Sequence, residues 1–309
     1  MKKTINFLII LALSTTAFAQ KYKLELNLKK GAVYTQTMIS SNKMVQTTNG
    51  KATNVDLSLI IKVKYKVIDI KDSIYDLDAQ YETLSMNAKA SSGNGFLTFS
   101  SAKKDHNDLL STALQDATNK PFRVKMSKRG KIVDIQNVDS LLWTFLDELT
   151  FDRGDTEKQQ TKAQFKNVFG NKAFKNNLEN STAMFPAYPV SIGEKWTTDH
   201  VFSEGISAQS TTTYELKAKN CNSYIIAGTM NLKSTDNDVY KVRNGIEMKS
   251  NTTGSFTSTT KLSKKTGWIK EQKMNFELMS STVFKESPQL PKGMTSDMKM
   301  NMQITITDK

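Results

Sequence analysis

The sequence predicts an α+β protein dominated by antiparallel strands, with two related β-rich halves joined by a helical segment in a half-barrel or curved sheet. Three observations predict it. From Leu57 to Val67 every second residue is apolar, and alternation resumes from Tyr75 to Tyr81 after Lys71-Asp72-Ser73, the period of two that marks strands with one buried face. A three-residue loop there pairs Val67 with Leu77, Tyr65 with Ala79 and Val63 with Tyr81. The same register sets Lys66 opposite Asp78 and Lys62 opposite Glu82, so both faces agree on one hairpin. Tyr65–Ser85 also overlays Tyr214–Ser234 without a gap, and helical spacing of apolar residues is confined to the middle of the chain.

The elements follow in order. Lys2 and Lys3, an apolar run from Ile5 to Leu13 and the small-x-small triplet Ala17-Phe18-Ala19 read as a cleaved leader over residues 1–19. Its apolar run is too short to span a bilayer, and no later stretch approaches the length that would. Tyr22, Leu24, Leu26 and Leu28 form a short alternating strand. Lys29-Lys30-Gly31 turns it into a second strand, Val33–Val45, and Asn49-Gly50 signals a hairpin turn. After the main hairpin, residues 91–95 are a loop, and Asp105–Ala117 reads as a helix with Leu109, Leu110, Ala113 and Leu114 on one side. Pro121 ends it. Phe122–Met126 and Lys131–Ile135 flank the turn Ser127-Lys128-Arg129-Gly130.

Asn137 or Asp139 then caps a helix carrying Leu141, Leu142, Phe145, Leu146 and Leu149. A polar segment with Ala163, Phe165 and Phe169 follows, with Gly170 as its C-cap, and Phe174 and Leu178 mark a third helix. Pro186 and Pro189 return the chain to strands. In the second half Gly193-Glu194-Lys195-Trp196 repeats Gly31-Ala32-Val33-Tyr34, and Leu262-Ser263-Lys264-Lys265 echoes Met126-Ser127-Lys128-Arg129. Met298, Met300, Met302, Ile304 and Ile306 share one face of a final strand. The division is therefore 1–19 leader, 20–136 first β-rich half, 137–185 helical linker and 186–309 second β-rich half.

Composition narrows the function classes. The 309 residues hold 43 basic and 30 acidic side chains, a net charge of +13, and removing the two leader lysines leaves +11. The lysines are spread along the chain and no nucleic-acid motif accompanies them, so they read as a solvated surface rather than a nucleic-acid footprint. Cys221 is the single cysteine, so no intramolecular disulfide supports the fold. His106 and His200 stand in no catalytic or metal motif, and there is no phosphate loop, dinucleotide fingerprint or nucleophile elbow. The expectation is a non-enzymatic protein without cofactor or metal. Asp76, Asp78 and Glu82 read as cross-strand ion pairs, not a cation site. Met294, Met298, Met300 and Met302 have thioethers suited to Cu(I), but their continuation into Ile304 and Ile306 is the pattern of a core strand.

One binding expectation remains. Tyr65, Tyr75, Tyr81, Tyr214, Tyr224, Trp268 and Phe276, with the methionines, lie on strand faces suited to holding an apolar or envelope-derived, lipid-like ligand. The competing expectation is that these residues fill the core, making the chain an envelope structural or protein-interaction module. A helix filling the concave face, with no apolar pocket of several hundred Å3, would remove the basis for ligand binding.

The leader, Leu26-Asn27-Leu28-Lys29-Lys30-Gly31, the hairpin stretch Tyr65–Ser73 and Lys125–Lys131 together resemble a family of exported Gram-negative bacterial proteins of unknown function. The strand-rich layout with its helices is also similar to periplasmic lipoprotein-carrier half-barrels. These resemblances imply a periplasmic or extracellular location and bring no active site. N-terminal sequencing of the exported protein is expected to begin at Gln20, and an intact Met1 would refute the leader.

Overall fold

A computed structural model describes residues 20–91, 98–102, 111, 114–115, 118, 120–141, 158–159, 162–163, 166, 169–202, 208–235, 237–243, 246–288 and 290–309. The leader, the helix segment from Asp105 with His106, Leu109, Leu110 and Ala113, and Leu142, Phe145, Leu146, Leu149 and Phe165 lie outside these residues. The described chain forms one open, curved, mainly antiparallel sheet. Its strands are β1 (Val33–Thr48), β2 (Lys51–Lys71), β3 (Ile74–Ala90), β4 (Phe99–Ser100), β5 (Pro121–Ser127), β6 (Ile132–Gln136), β7 (Lys195–Phe202), β8 (Ala208–Lys219), β9 (Ser223–Ser234), β10 (Lys241–Arg243), β11 (Ile246–Ser263), β12 (Ile269–Phe284) and β13 (Met294–Thr307). Helix α1 (Asn171–Thr182) lies between β6 and β7 in sequence. The spatial order is β6-β5-β3-β2-β1-β13-β12-β11-β9-β8-β7, with β4 on β3 and β10 on β11.

The main hairpin has the expected pairs Val67–Leu77, Tyr65–Ala79, Val63–Tyr81 and Lys66–Asp78. Its turn is shorter than the three-residue loop expected. Lys71 pairs with Ile74, and Asp72 and Ser73 both take positive φ, 49° and 67°, the geometry of a tight two-residue turn whose twist suits a hairpin. A bulge at Ile68 restores the register read from the sequence, and a second at Glu82 shifts it again. The second bulge has a purpose visible in the sequence. Buried residues are odd-numbered from Tyr75 to Tyr81 and even-numbered from Leu84 to Ala88, so one extra residue keeps both runs on the core side.

The duplication extends through five strands of each half. Leu216 pairs with Ile226 as Val67 does with Leu77, and the bulge at Lys217 occupies the place of the one at Ile68. Trp196 faces Tyr214 as Tyr34 faces Tyr65. Gly31 N–H donates to Val67 O at 2.8 Å, and Gly193 N–H to Leu216 O at 2.7 Å. Ser127 meets Ile74 as Ser263 meets Ser223, and β5–β6 and β11–β12 share a bulge beside their turns. The unit β1-β2-β3-β5-β6 thus recurs as β7-β8-β9-β11-β12, and β13 joins them by pairing with both β1 and β12.

Tyr22–Leu28, expected as a strand, is a strap. Among the described residues its only ladder contact is an isolated bridge from Tyr22 to Val190, because its amides go elsewhere. Leu26 N–H donates to Lys128 O and Asn27 N–H to Thr266 O, both at 2.8 Å. Leu28 N–H donates to the Tyr75 hydroxyl, which itself donates to Leu26 O at 2.8 Å. The expected alternation survives, since Leu24, Leu26 and Leu28 are all buried. These bonds also measure the curl of the sheet. The nearest strands of the β5–β6 and β11–β12 turns, β5 and β12, are five spacings apart in the sheet order, or about 24 Å if it were flat. Adjacent strap residues, with Cα atoms only ~3.8 Å apart, reach both turns.

In the helical linker Asn137 stands before the helical residues that begin at Val138, its carbonyl accepting from Leu141 N–H, as one of the two expected caps. Gly170 ends one helical turn, donating to Lys166 O, and N-caps α1, accepting from Phe174 N–H at 2.8 Å. Asp139 does not cap its own segment; its carboxylate accepts from Asn171 N–H at 2.7 Å, completing the start of α1 from outside.

Gly267 provides a test of the strap. Its φ is +67°, and an added Cβ would lie 2.1 Å from Glu25 O, whereas Gly193 (φ +85°) has open space around it. Gly267→Ala is expected to cost about 3 kcal/mol or more in urea unfolding, and Gly193→Ala about 1 kcal/mol. Equal costs would show that the strap contact carries no load.

Candidate functional site

Inward-facing side chains of the sheet form rows that cross it from strand to strand. The rows nearest the strap hold the predicted tyrosines, and α1 packs over Tyr65 and Tyr81. Phe174 meets Tyr81 at 5.7 Å and Phe122 at 5.0 Å between ring centroids, both edge to face. Tyr65, Tyr75, Tyr81 and Tyr214 are each at most 3% exposed. Between α1 and the sheet, bounded by Tyr65, Tyr81, Phe174, Leu178, Met38 and Ile306, the remaining cavity is about 40 Å3. That is room for water, not for a lipid, so the expected binding on Tyr65 and Tyr81 loses its basis here.

The other predicted rings have definite neighbours. The Tyr75 hydroxyl holds the strap, and its counterpart Tyr224 packs on Tyr22 of the same strap at 5.6 Å. Trp268, from the second half, lies against Tyr34 and Tyr65 of the first, and its indole N–H donates to Thr35 O at 3.0 Å. Trp196, absent from the expected set, is the partner of Tyr214, stacked at 6.0 Å and donating to Met184 O at 2.7 Å. Its place opposite Tyr214 follows from the repeat of Gly31–Tyr34. Phe276 alone of the seven lies farther along the strands, half-buried beside Phe256 at 4.7 Å.

Around Phe276 the inner face changes character. One row reads Leu57, Asn42, Met302, Phe276, Phe256, Met230, and the next Val55, Met44, Met300, Leu278, Gly254, Leu232. Leu57, Met44, Met300, Met302 and Leu278 are half-buried rather than buried. None belongs to the cavity wall under α1. Six strands give each row a span of about 24 Å, longer than one leaflet of a bilayer's ~30 Å hydrocarbon core. The methionines expected on the last strand's core face are here, at its open part.

Electrostatics place the charges on the outer face. Lys62 pairs with Glu82 at 3.3 Å, as expected, although Glu82 is the bulged residue. Asp78 stands opposite Lys66 in the register, but its carboxylate pairs with Arg123 of β5 at 3.2 Å, and Asp76 pairs with the same guanidinium at 3.2 Å. Neighbouring strands, not only the hairpin's own, use these acids. A hollow of about 360 Å3 on the outer side is bounded by Thr257, Thr259, Lys261, Glu271, Lys273 and Asn275. Glu271 engages both lysines there and is held below the usual carboxylate range by them. Burial pushes the Tyr65 and Tyr81 hydroxyls well above the ordinary phenol value and Tyr214 up to about 12, so all three stay neutral near pH 7. Cys221 is exposed on the β8–β9 turn. Among the described residues no three His, Cys, Asp or Glu side chains gather as a metal site, and no helix is long and apolar enough to cross a membrane.

Residues 72–269 match a family of unknown function, DUF6263. No curated protein matches the chain. Among solved structures, one described as "Lipid-protein interactions in lipovitellin" superposes with TM-score 0.47 at 13% identity, covering 92% of this chain and 25% of that one. The chain thus spans a quarter of that protein's length. An outer-membrane channel of Pseudomonas putida F1 superposes with TM-score 0.22 at 8% identity, covering 91% of this chain and 97% of that one. OpdQ of Pseudomonas aeruginosa gives TM-score 0.22 at 7% identity, over 90% and 98% of the two chains. At these TM-scores the likenesses decide no question of ligand.

The two parts of the inner face are expected to differ in stability measurements. Phe174→Ala, which removes the ring between Tyr81 and Phe122, should cost about 3–5 kcal/mol. Met300→Ala should cost about 1 kcal/mol, since its side chain is already half in water. A Met300 cost equal to that of Phe174 would place it in the closed core.

Proposed function

The chain belongs to the DUF6263 family of unknown function, and we propose that it is an exported, non-enzymatic envelope protein that binds a lipid-like apolar ligand on the inner face of its sheet. One observation carries the reading: the half-buried Leu57, Met44, Met300, Met302, Phe276 and Leu278 form a continuous band that α1 leaves uncovered. Flexible thioethers beside an aromatic ring adapt to chains of varied shape. The band, rather than the tyrosine end, is the proposed site, because Tyr65 and Tyr81 have a helix against them and about 40 Å3 to spare. The neutral tyrosines and the paired acids offer no poised base or nucleophile in support of catalysis.

A second reading, an envelope structural or protein-interaction module, draws on the same closed end and on the open edges of the sheet. The experiment that separates the two is native mass spectrometry of protein recovered from its own envelope. Bound lipid, lost in Met300→Glu/Leu278→Glu while circular dichroism is unchanged, is the expected result. Lipid-free protein with a stoichiometric protein partner would overturn ligand binding in favour of the module. Phe174→Leu is expected to leave the bound lipid in place.

A further inference from the structure

The duplication exposes what the sheet lacks. In each five-strand unit the first and last strands are the outer ones: β1 and β6 in the first unit, β7 and β12 in the second. The single strand β13 fills two of these four edges, pairing with β1 over Thr37–Thr48 and with β12 over Glu271–Phe284. The edges left unpaired among the described residues, β7 and β6, are the repeat equivalents of the two that β13 joins. In the second unit the chain passes from β12 to β13. In the first, it passes from β6 to the linker and α1, which packs over the inner face instead. Among the described residues one strand position is therefore vacant in the repeat pattern.

The β7 edge is built to receive a strand. Leu216 N–H donates to Glu194 O, which sets the phase of the ladder. Trp196 and Thr198 turn their backbone groups toward β8, while Lys195, Thr197 and Asp199 turn theirs away. No proline or bulge interrupts Lys195–Phe202, so the edge lacks the strongest natural blocks to pairing. Its charged side chains are engaged within the sheet, Lys195 with Glu215 at 3.9 Å and Asp199 with the Thr211 hydroxyl at 2.8 Å. By the repeat, Asp199 stands where Thr37 stands, and Thr37 is the residue of β1 at which pairing with β13 begins.

We propose that the free edge of β7 is a strand-docking site for an extended segment of another protein, apolar at alternate positions in the manner of β13. The main-chain bonds of the added strand supply affinity, and its alternate apolar side chains extend the inner face beside Trp196. The occupant is a foreign strand rather than a second copy, because the edge equivalent to β7 is met by a strand of the β13 type, and a second copy's β13 is already paired on both sides, with β1 and β12. This holds whether or not the inner face carries a lipid.

A synthetic peptide of residues 294–307, added to the full chain, serves as the probe. It is expected to bind saturably and to slow hydrogen exchange at the Asp199 and Val201 amides by at least tenfold. Asp199→Pro removes one outward N–H and should weaken binding at least tenfold. Asp199→Ala, which loses the Thr211 contact but keeps the N–H, should bind within twofold of the parent. Should the proline variant not fold, exchange at the two amides of the parent decides alone. Protection of those amides before peptide is added, or peptide binding unaltered by a folded Asp199→Pro, would overturn the proposal. So would a dimer that Asp199→Pro dissociates, which would assign the edge to a second copy.

Discussion

The structure depends on one short buried strap. Leu26 and Asn27 hand consecutive amides to the turns of two different repeat units, and no flat sheet brings those turns within reach. Curl, the burial of Leu24, Leu26 and Leu28, and the contact of Trp268 with Tyr34 and Tyr65 are consequences of the same constraint. The two units hold the strap by equivalent tyrosines put to different uses. Tyr75 binds it through a hydroxyl in the first, and Tyr224 packs a ring on it in the second. A hydrogen bond to a buried backbone carbonyl fixes register along the strap, whereas a ring contact tolerates sliding.

The division of the inner face follows from the unequal ends of the two units. Where the second unit continues into a strand, the first continues into helix, and that helix covers Tyr65 and Tyr81. Gly130 and Gly267 record the same asymmetry. They sit at equivalent turns with φ of +74° and +67°, yet a Cβ on the first would strike Thr182 O of α1 and on the second Glu25 O of the strap. One inherited turn is packed by two unrelated elements. The open band around Met300 is what neither reaches.

Much of this was legible in the sequence, for physical reasons that differ by element. The main hairpin and the repeat could be read because period-two burial and charge pairing agree on one register. Trp196 was accessible by the same route, from its place in the repeat of Gly31–Tyr34. The bulge at Ile68 was hidden because a two-residue turn plus one extra residue yields the pairs that a three-residue loop would. Arg123 was missed because Asp78 has Lys66 opposite it in the hairpin register, and the choice of guanidinium belongs to the neighbouring strand. The strap looked like a strand because alternation reports burial of one face, not the destination of the amides. Whether Tyr65 and Tyr81 line a pocket or a core depended on where α1 lands, which no local pattern encodes.

The position of β13 in the chain has a consequence for how the protein is made. Of the described strands it is the last synthesised, yet it pairs with the earliest of them, β1, across Thr37–Thr307. Until it arrives, the first unit has a long strand edge of sixteen residues unpaired. Such distant pairings fold slowly, since loop closure must come before any of the contacts that compensate for it. During that interval β1 is the part of the chain most open to pairing with the wrong strand. The mature sheet ends in a short edge at β6 and a modest one at β7, but the nascent chain passes through a stage with a much longer one.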